Sequence, residues 1–183
     1  MAEETTKEPT IESKIVYKGR ILDLKVDTIV LPSGRQTTRE IAEHDNSVCM
    51  VPIDENGDVL LVRQYRKAVE SDLLEVPAGG IEENETPEDA VLRELQEEAG
   101  YTAGDVQALA GFWVSPGWCT EYMHSYLATA LSPAKLDADF DENITVVRVP
   151  LSRIVGLIAV GDIQDAKSIA SLLLAMQHLG KVD

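Results

Sequence analysis

The sequence predicts an α/β (α+β) protein in which helices pack against a mixed sheet, preceded by a small N-terminal antiparallel β-region. Three observations predict this class. Apolar, β-branched runs recur between turn residues, one amphipathic helix with signals at both ends interrupts them, and two further helical segments follow near the C-terminus. Because strands and helices do not alternate strictly, a mixed sheet is favoured over an all-parallel one.

The N-terminal part of the chain divides by composition. Residues 1–12 are polar and acidic with almost nothing to bury, and we expect them to form a disordered tail. Residues 13–46 alternate in part and are punctuated by Lys18–Gly19 and Pro32–Gly34, which predicts two or three antiparallel strands. Residues 47–183 are expected to form the main domain, beginning with a hairpin around Asn56–Gly57.

The first helix of the main domain has signals at both ends. Thr86 is suited to cap the free amides, Pro87 is preset for the first helical position, and Asp89 completes a capping-box-like pattern. Gly100 provides a left-handed stop. Beyond this helix the pattern predicts strands over 105–114 and 121–131 and near 144–149, then helices over 152–160 and 165–180.

The composition limits the classes of partner. The chain has 183 residues, and its 16 Lys and Arg against 32 Asp and Glu give a formal net charge of −16. Such a surface repels phosphate backbones, which argues against nucleic acid or an anionic membrane as the main partner. No apolar run reaches the length of a membrane span. Two distant cysteines and a polar N-terminus without the features of a leader favour a cytoplasmic location.

Three glutamates on the first helix are spaced to share a face. Glu94 and Glu98 are i,i+4 neighbours, Glu97 is three residues after Glu94, and Arg93 precedes Glu97 by four. Like charges so close destabilise a bare helix, whereas Mg²⁺ favours oxygen ligands and tolerates shared carboxylates. Taken alone, this spacing favours a solvated acidic helix face over a metal site.

The spacing belongs to a longer pattern that resembles the Nudix box, G-x5-E-x7-R-E-U-x-E-E-x-G-U, where U is a bulky apolar residue. Tyr101 takes the last position, which is usually aliphatic. The resemblance implies the α/β/α Nudix sandwich with a mixed sheet, and hydrolysis of a nucleoside diphosphate linked to another moiety. The other matching positions are Gly79, Glu85, Arg93, Glu94, Leu95, Glu97, Glu98 and Gly100.

Flanking residues resemble the ADP-ribose pyrophosphatase branch of the family. Upstream lie Arg63–Arg66 and Glu75–Gly79, and downstream lies Ser115–Gly117, with Pro116 sixteen residues after Gly100. Alone, Ser-Pro-Gly is a plain turn. The resemblance implies hydrolysis of ADP-ribose to AMP and ribose 5-phosphate. The alternatives are another nucleoside diphosphate sugar, such as a GDP- or UDP-sugar, and a non-catalytic module that binds ADP-ribose.

The resemblance assigns the metal site. It implies two or three Mg²⁺ or Mn²⁺ ions held by the carbonyl of Ala78 and by Glu94, Glu97 and Glu98. Glu85 and Arg93 are expected to orient the helix that carries these ligands. The catalytic group implied by the resemblance therefore contains Glu97, Glu98 and Arg93, together with a residue that activates water.

The water-activating residue is expected in an acidic loop before the last strand. In similar enzymes, glutamates stand two and four residues before an isoleucine. Here Glu142 takes the first position before Ile144, but Phe140 takes the other. We favour Glu142 over Asp139 and Asp141 as base or metal ligand, and the alternative is an acidic surface loop.

The substrate residues and the assembly also follow from the resemblance. Arg39 and Arg66 match positions that contact phosphate or the terminal ribose, with Glu40 nearby for hydroxyl groups. Arg20 and Ile21 match an adenine site completed by a partner subunit, which implies a homodimer that exchanges its N-terminal β-regions. The loop residues implied in substrate binding are Ser115, Pro116, Gly117 and Glu121.

Overall fold

The computed structural model describes residues 7–136 and 143–181. The chain divides into two compact units, Met1–Asp45 with Trp113–Glu121, and Asn46–Phe112 with Tyr122–Asp183. The domain boundary predicted from the sequence puts Trp113–Glu121 in the main domain, whereas in the structure this segment belongs to the N-terminal unit. The cause is backbone pairing, because the amide of Ala42 donates to the carbonyl of Trp118 at 2.7 Å.

The N-terminal unit contains a three-stranded antiparallel sheet, as the sequence predicts. Its strands are β1 (Thr10–Lys18), β2 (Asp23–Val30) and β3 (Gln36–Glu43), in that spatial order. Strand β1 starts within the segment predicted as a tail, because Thr10 and Glu12 already pair with Ile29 and Thr28. All nine residues of β1 are exposed.

The second unit contains a mixed four-stranded sheet. In spatial order its strands are β7 (Ala78–Gly80), β4 (Ser47–Pro52), β9 (Tyr122–Pro133) and β8 (Tyr101–Trp113). Strand β4 pairs in parallel with β9 and antiparallel with β7, so the predicted mixed sheet is confirmed.

A separate antiparallel sheet in this unit has the order β10-β5-β6, formed by β5 (Asp58–Arg66), β6 (Ser71–Glu75) and β10 (Thr145–Pro150). The predicted hairpin between β4 and β5 is therefore wrong. The turn itself forms, with Gly57 at φ +81° and the amide of Asp54 donating to the carbonyl of Asp58 at 3.0 Å. Past a single bridge between Ile53 and Val59, however, the two strands enter different sheets.

Helices cover both faces of the mixed sheet. They are α1 (Pro87–Glu94), which runs on into a π-helical segment (Leu95–Ala99), α2 (Ile154–Val160) and α3 (Ala166–His178). Alternate residues of β4 enter two apolar clusters. Val48 and Met50 pack in the cluster that contains Leu95, whereas Cys49 packs in the cluster that contains Leu172 of α3. The sheet thus lies between helical layers, which agrees with the expected α/β/α sandwich.

Within residues 7–136 and 143–181, no helix combines the length and the apolar character that a membrane crossing requires.

Candidate active site

Helix α1 starts as the sequence predicts. The Thr86 side chain accepts a hydrogen bond from the amide of Asp89 at 3.2 Å, and its hydroxyl donates to the Asp89 carboxylate at 2.6 Å. Pro87 is the first helical residue. These contacts satisfy amides that have no partner inside the helix and place an acidic residue near the positive end of the helix dipole.

The end of this helix differs from the regular α-helix that the sequence analysis assumed. Leu95–Ala99 form a π-helical turn, and the amide of Gly100, at φ +76°, donates to the carbonyl of Leu95. Such wide turns occur mostly as single interruptions of α-helices and are frequent at functional sites. Here the turn carries Glu97 and Glu98. Arg93 and Glu97 still make an i,i+4 contact, but simple i,i+4 spacing from Glu94 does not describe how Glu98 is directed.

Glu98 is directed into the protein, toward strand β7. It is 6% exposed, and its carboxylate accepts a hydrogen bond from the amide of Ala78 at 3.0 Å. A buried carboxylate is unfavourable unless such bonds compensate for lost water. The contact joins the π-helical turn to the strand that begins with Ala78, which the sequence analysis expected to contribute a metal ligand.

Arg93 contacts three carboxylates at once. Nε and Nη2 each donate to Glu85 at 2.9 Å, while Nη1 donates to Glu94 at 2.7 Å and to Glu97 at 3.0 Å. Nη2 also donates to the carbonyl of Gly80 at 2.8 Å. These hydrogen bonds raise the pKa of Arg93, and the guanidinium holds the pKa of Glu85 below its ordinary value. Arg93 thus orients the helix, the preceding loop and strand β7 relative to one another.

Gly79 lies against the Glu94 carboxylate. A Cβ atom at Gly79 would stand 1.9 Å from Oε1 and 2.4 Å from Oε2 of Glu94. Only a residue without a side chain permits this approach between the strand backbone and the carboxylate. A cavity of about 300 Å³ opens here, lined by Ala78, Gly79, Gly80, Ile81, Glu82, Arg93, Glu94 and Glu97.

The chemistry of this cavity fits a hard divalent cation. Its donors are carboxylate and backbone oxygens, the ligands that Mg²⁺ and Mn²⁺ favour, and Gly79 lets backbone and carboxylate approach the same space. In this structure the cation between Glu94 and Glu97 is the Arg93 guanidinium. Across the described residues, no three His, Cys, Asp or Glu side chains form a ready-made ligand set. The ligand set of Glu94, Glu97 and Glu98 therefore stays a prediction.

Arg66 lies at the end of β5 and forms a bidentate ion pair with Glu75. Its Nε donates to Glu75 at 2.9 Å and its Nη2 donates to the same carboxylate at 2.7 Å. Lys167 of α3 also contacts Glu75. In the sequence, Glu75 is recognisable only as part of a flanking motif, and nothing indicates a role for Lys167. No local signal could have joined them, because the two residues are 92 positions apart.

The predicted residues of the N-terminal unit lie in different settings. Arg20 and Ile21 are exposed and line a cavity of about 510 Å³ together with Glu43 and His44. Arg39 instead pairs with Glu8, its Nη2 lying 2.7 Å from the carboxylate. Glu40 is exposed.

The loop residues of this unit form a tight turn. The amides of Trp118 and Cys119 donate to the carbonyl of Ser115 at 3.1 and 2.9 Å, which encloses Pro116 and Gly117. The carbonyl of Glu121 accepts from the amide of Val114 at 3.1 Å. The predicted water-activating residues, Glu142, Asp139 and Asp141, lie outside the described residues.

The α/β/α sandwich and the glutamates that Arg93 holds beside Gly79 are what the resemblance to the Nudix box implies, and the site is of the Nudix hydrolase type. The comparisons agree. The family model described as NUDIX domain matches residues 43–172, and the model described as nucleoside diphosphate sugar hydrolase N-terminal domain matches residues 8–41. The chain belongs to the Nudix hydrolase family, whose members generally depend on divalent metal ions.

Several relatives match most of the chain. An ADP-ribose pyrophosphatase of Bacillus subtilis (strain 168) is 36% identical, with 90% of both chains covered. A methanol dehydrogenase activator of Bacillus methanolicus is 34% identical, over 94% of this chain and 92% of that protein. A GDP-mannose pyrophosphatase of Yersinia enterocolitica is 35% identical, over 78% and 80%. A crystal structure of an ADP compounds hydrolase superposes with a TM-score of 0.88 at 26% identity, covering 96% of this chain and 97% of that one.

Proposed function

We propose that this protein hydrolyses the pyrophosphate of ADP-ribose, giving AMP and ribose 5-phosphate. The observation that carries the proposal is the set of Glu94, Glu97 and Glu98 held by Arg93 and strand β7. The similarity to an ADP-ribose pyrophosphatase over 90% of both chains supports the choice of substrate. A second candidate is a GDP-sugar, which the similarity to a GDP-mannose pyrophosphatase favours.

The substrate is an anion and the protein has a formal net charge of −16, so cationic groups must offset their repulsion. Mg²⁺ or Mn²⁺, bound by Glu94, Glu97, Glu98 and the Ala78 carbonyl in two or three sites, would neutralise the pyrophosphate and acidify the attacking water. Arg66 would contact a phosphate of the substrate, and Arg93 would keep Glu94 and Glu97 in place.

Glu142 is the residue we propose to position or deprotonate the attacking water. Replacing Glu142 with alanine should lower kcat by about 100-fold with little change in KM, because a general base acts in the transition state. Asp139→Ala and Asp141→Ala serve as matched controls in the same acidic stretch of the sequence. An equal loss in one of these controls would transfer the role to that aspartate.

The second part of the substrate site is proposed to lie in the N-terminal unit. Arg20 and Ile21 would hold the adenine, Arg39 and Glu40 the phosphate or terminal ribose, and Ser115, Pro116, Gly117 and Glu121 would form the substrate loop. We propose a homodimer in the cytoplasm, with each subunit completing the adenine site of the other. Light scattering of the purified protein tests the dimer, and a monomeric mass would refute it.

The decisive experiment measures hydrolysis of ADP-ribose, GDP-mannose and UDP-glucose by the purified protein with Mg²⁺. We expect the highest kcat/KM for ADP-ribose, with AMP and ribose 5-phosphate as the products separated by anion exchange. Preference for GDP-mannose would establish the second candidate. Binding of ADP-ribose by calorimetry without turnover of any compound would instead indicate a non-catalytic module.

A further inference from the structure

Glu75 is a buried carboxylate that forms an ion pair with Arg66, a proposed substrate-binding residue. Its side chain is 1% exposed, whereas that of Arg66 is 41% exposed. The two form parallel hydrogen bonds through Nε and Nη2 of Arg66, at 2.9 and 2.7 Å. By the geometry of the guanidinium, the hydrogens of Nη1 point away from Glu75. One side of Arg66 is therefore fixed in the protein while the other can receive an anion.

Glu75 is itself fixed by the start of helix α3. Lys167 contacts Glu75 and also Asp165, the latter at 2.8 Å. Asp165 caps α3 by accepting from the amide of Ser168 at 3.0 Å, and the hydroxyl of Ser168 accepts from the amide of Val76 at 2.9 Å. The residue after Glu75 and the first turn of α3 are thus joined by hydrogen bonds.

The charges of this cluster sum to zero, because the carboxylates of Glu75 and Asp165 are matched by the cations of Arg66 and Lys167. Burial alone would raise the pKa of Glu75, but the hydrogen bonds and charges of Arg66 and Lys167 bring it below its ordinary value. Glu75 is therefore ionised at neutral pH. A buried ion pair of this kind is weak evidence for stability, since desolvation offsets the attraction, and its geometric role is the better-supported one.

We propose that Glu75 is a positioning residue that, held by Lys167, fixes Arg66 in the orientation that receives the substrate pyrophosphate. The inference rests on the proposed function. A free arginine side chain samples many rotamers and loses that freedom when it binds a phosphate. Because Glu75 already fixes the guanidinium, that loss occurs on folding and not during substrate binding.

The test is a double-mutant cycle measured with ADP-ribose and Mg²⁺. Glu75→Gln keeps the size of the side chain but loses its charge, and we expect kcat/KM to fall about tenfold. Arg66→Ala should lower kcat/KM further. Adding Glu75→Gln to Arg66→Ala should then change kcat/KM less than twofold, because no guanidinium remains to be positioned. Asp72→Asn, an exposed carboxylate on the same strand, is the matched control and should behave as wild type.

A merely structural role gives a different result. It would lower the melting temperature of Glu75→Gln and reduce activity equally with and without Arg66, which would overturn the inference. Should Glu75→Gln fail to fold, Glu75→Asp retains the charge but is too short for both hydrogen bonds, and the same cycle applies. A wild-type enzyme inactive on every nucleoside diphosphate sugar would refute the proposed function as well. Normal turnover by a folded Glu75→Gln would overturn only this inference.

Discussion

Replacing Gly79 with alanine should inactivate the enzyme without unfolding it. The new Cβ would stand 1.9 Å from Oε1 of Glu94, so that oxygen must retreat by about 1.1 Å to restore a separation of 3.0 Å. This carboxylate is the end of a flexible side chain, so its displacement should cost little stability. It does, however, strain the 2.7 Å bond from Arg93 and displaces a proposed metal ligand.

A misplacement of about 1 Å near the reacting groups costs roughly 100-fold in rate, or about 2.7 kcal/mol of transition-state stabilisation. We therefore expect kcat/KM of Gly79→Ala with ADP-ribose and Mg²⁺ to fall about 100-fold, while the melting temperature changes by only a few degrees. Gly80→Ala is the matched control, because a Cβ there meets no atom within 4 Å. Wild-type activity in Gly79→Ala, or equal losses in both variants, would refute the reasoning.

Three other predictions test separate parts of the molecule. Glu98→Gln keeps an oxygen for the Ala78 amide but loses the charge, so kcat should fall about 100-fold at saturating Mg²⁺; full turnover would contradict the assignment. Thr86→Ala should cost about 1 kcal/mol in urea unfolding through loss of the helix cap, with kcat unchanged. Burial raises the pKa of Asp165, but Lys167 and Ser168 outweigh it and hold this pKa below its ordinary value of 3.8 in the folded protein. The ionised Asp165 carboxylate therefore stabilises the fold above pH 3.8, and this stabilisation is lost as the pH falls through the pKa of the folded protein. Asp165→Asn keeps the helix cap but carries no charge. The difference in unfolding free energy between the wild type and Asp165→Asn should therefore shrink as the pH falls from 7 to 3. A constant difference would argue against this account.

The sequence predicted best those features that depend on local chemistry. Helix α1 begins at Thr86 and Pro87, and Gly100 ends the π-helical segment that continues it. Both ends were predictable because capping and a positive φ are properties of single residues and their neighbours. The i,i+4 contact between Arg93 and Glu97 follows from the same locality. The mixed sheet and its helical layers were also predictable, since each apolar face requires a partner.

The features that the sequence did not reveal depend on distant partners. The Asn56–Gly57 turn indicates a hairpin, but strands β4 and β5 belong to different sheets. Strand β4 pairs with β7 and β9, whereas β5 pairs with β6 and β10. The short strand β7 has too few residues to show a pattern. The segment 113–121 pairs with Ala42, more than 70 positions away, and no local signal records that. The ion pair of Arg39 with Glu8 likewise depends on the registers of the N-terminal sheet.

The wide turn at Leu95–Ala99 has a consequence for protein engineering. Each residue of a regular α-helix advances the direction of the side chain by about 100°, so a helical-wheel drawing that ignores the wide turn misassigns Glu98. A designer who grafts these glutamates onto an idealised helix would aim Glu98 away from the backbone amide that it contacts here. The transferable unit is therefore the helix together with its irregular turn, its terminal glycine and the neighbouring strand.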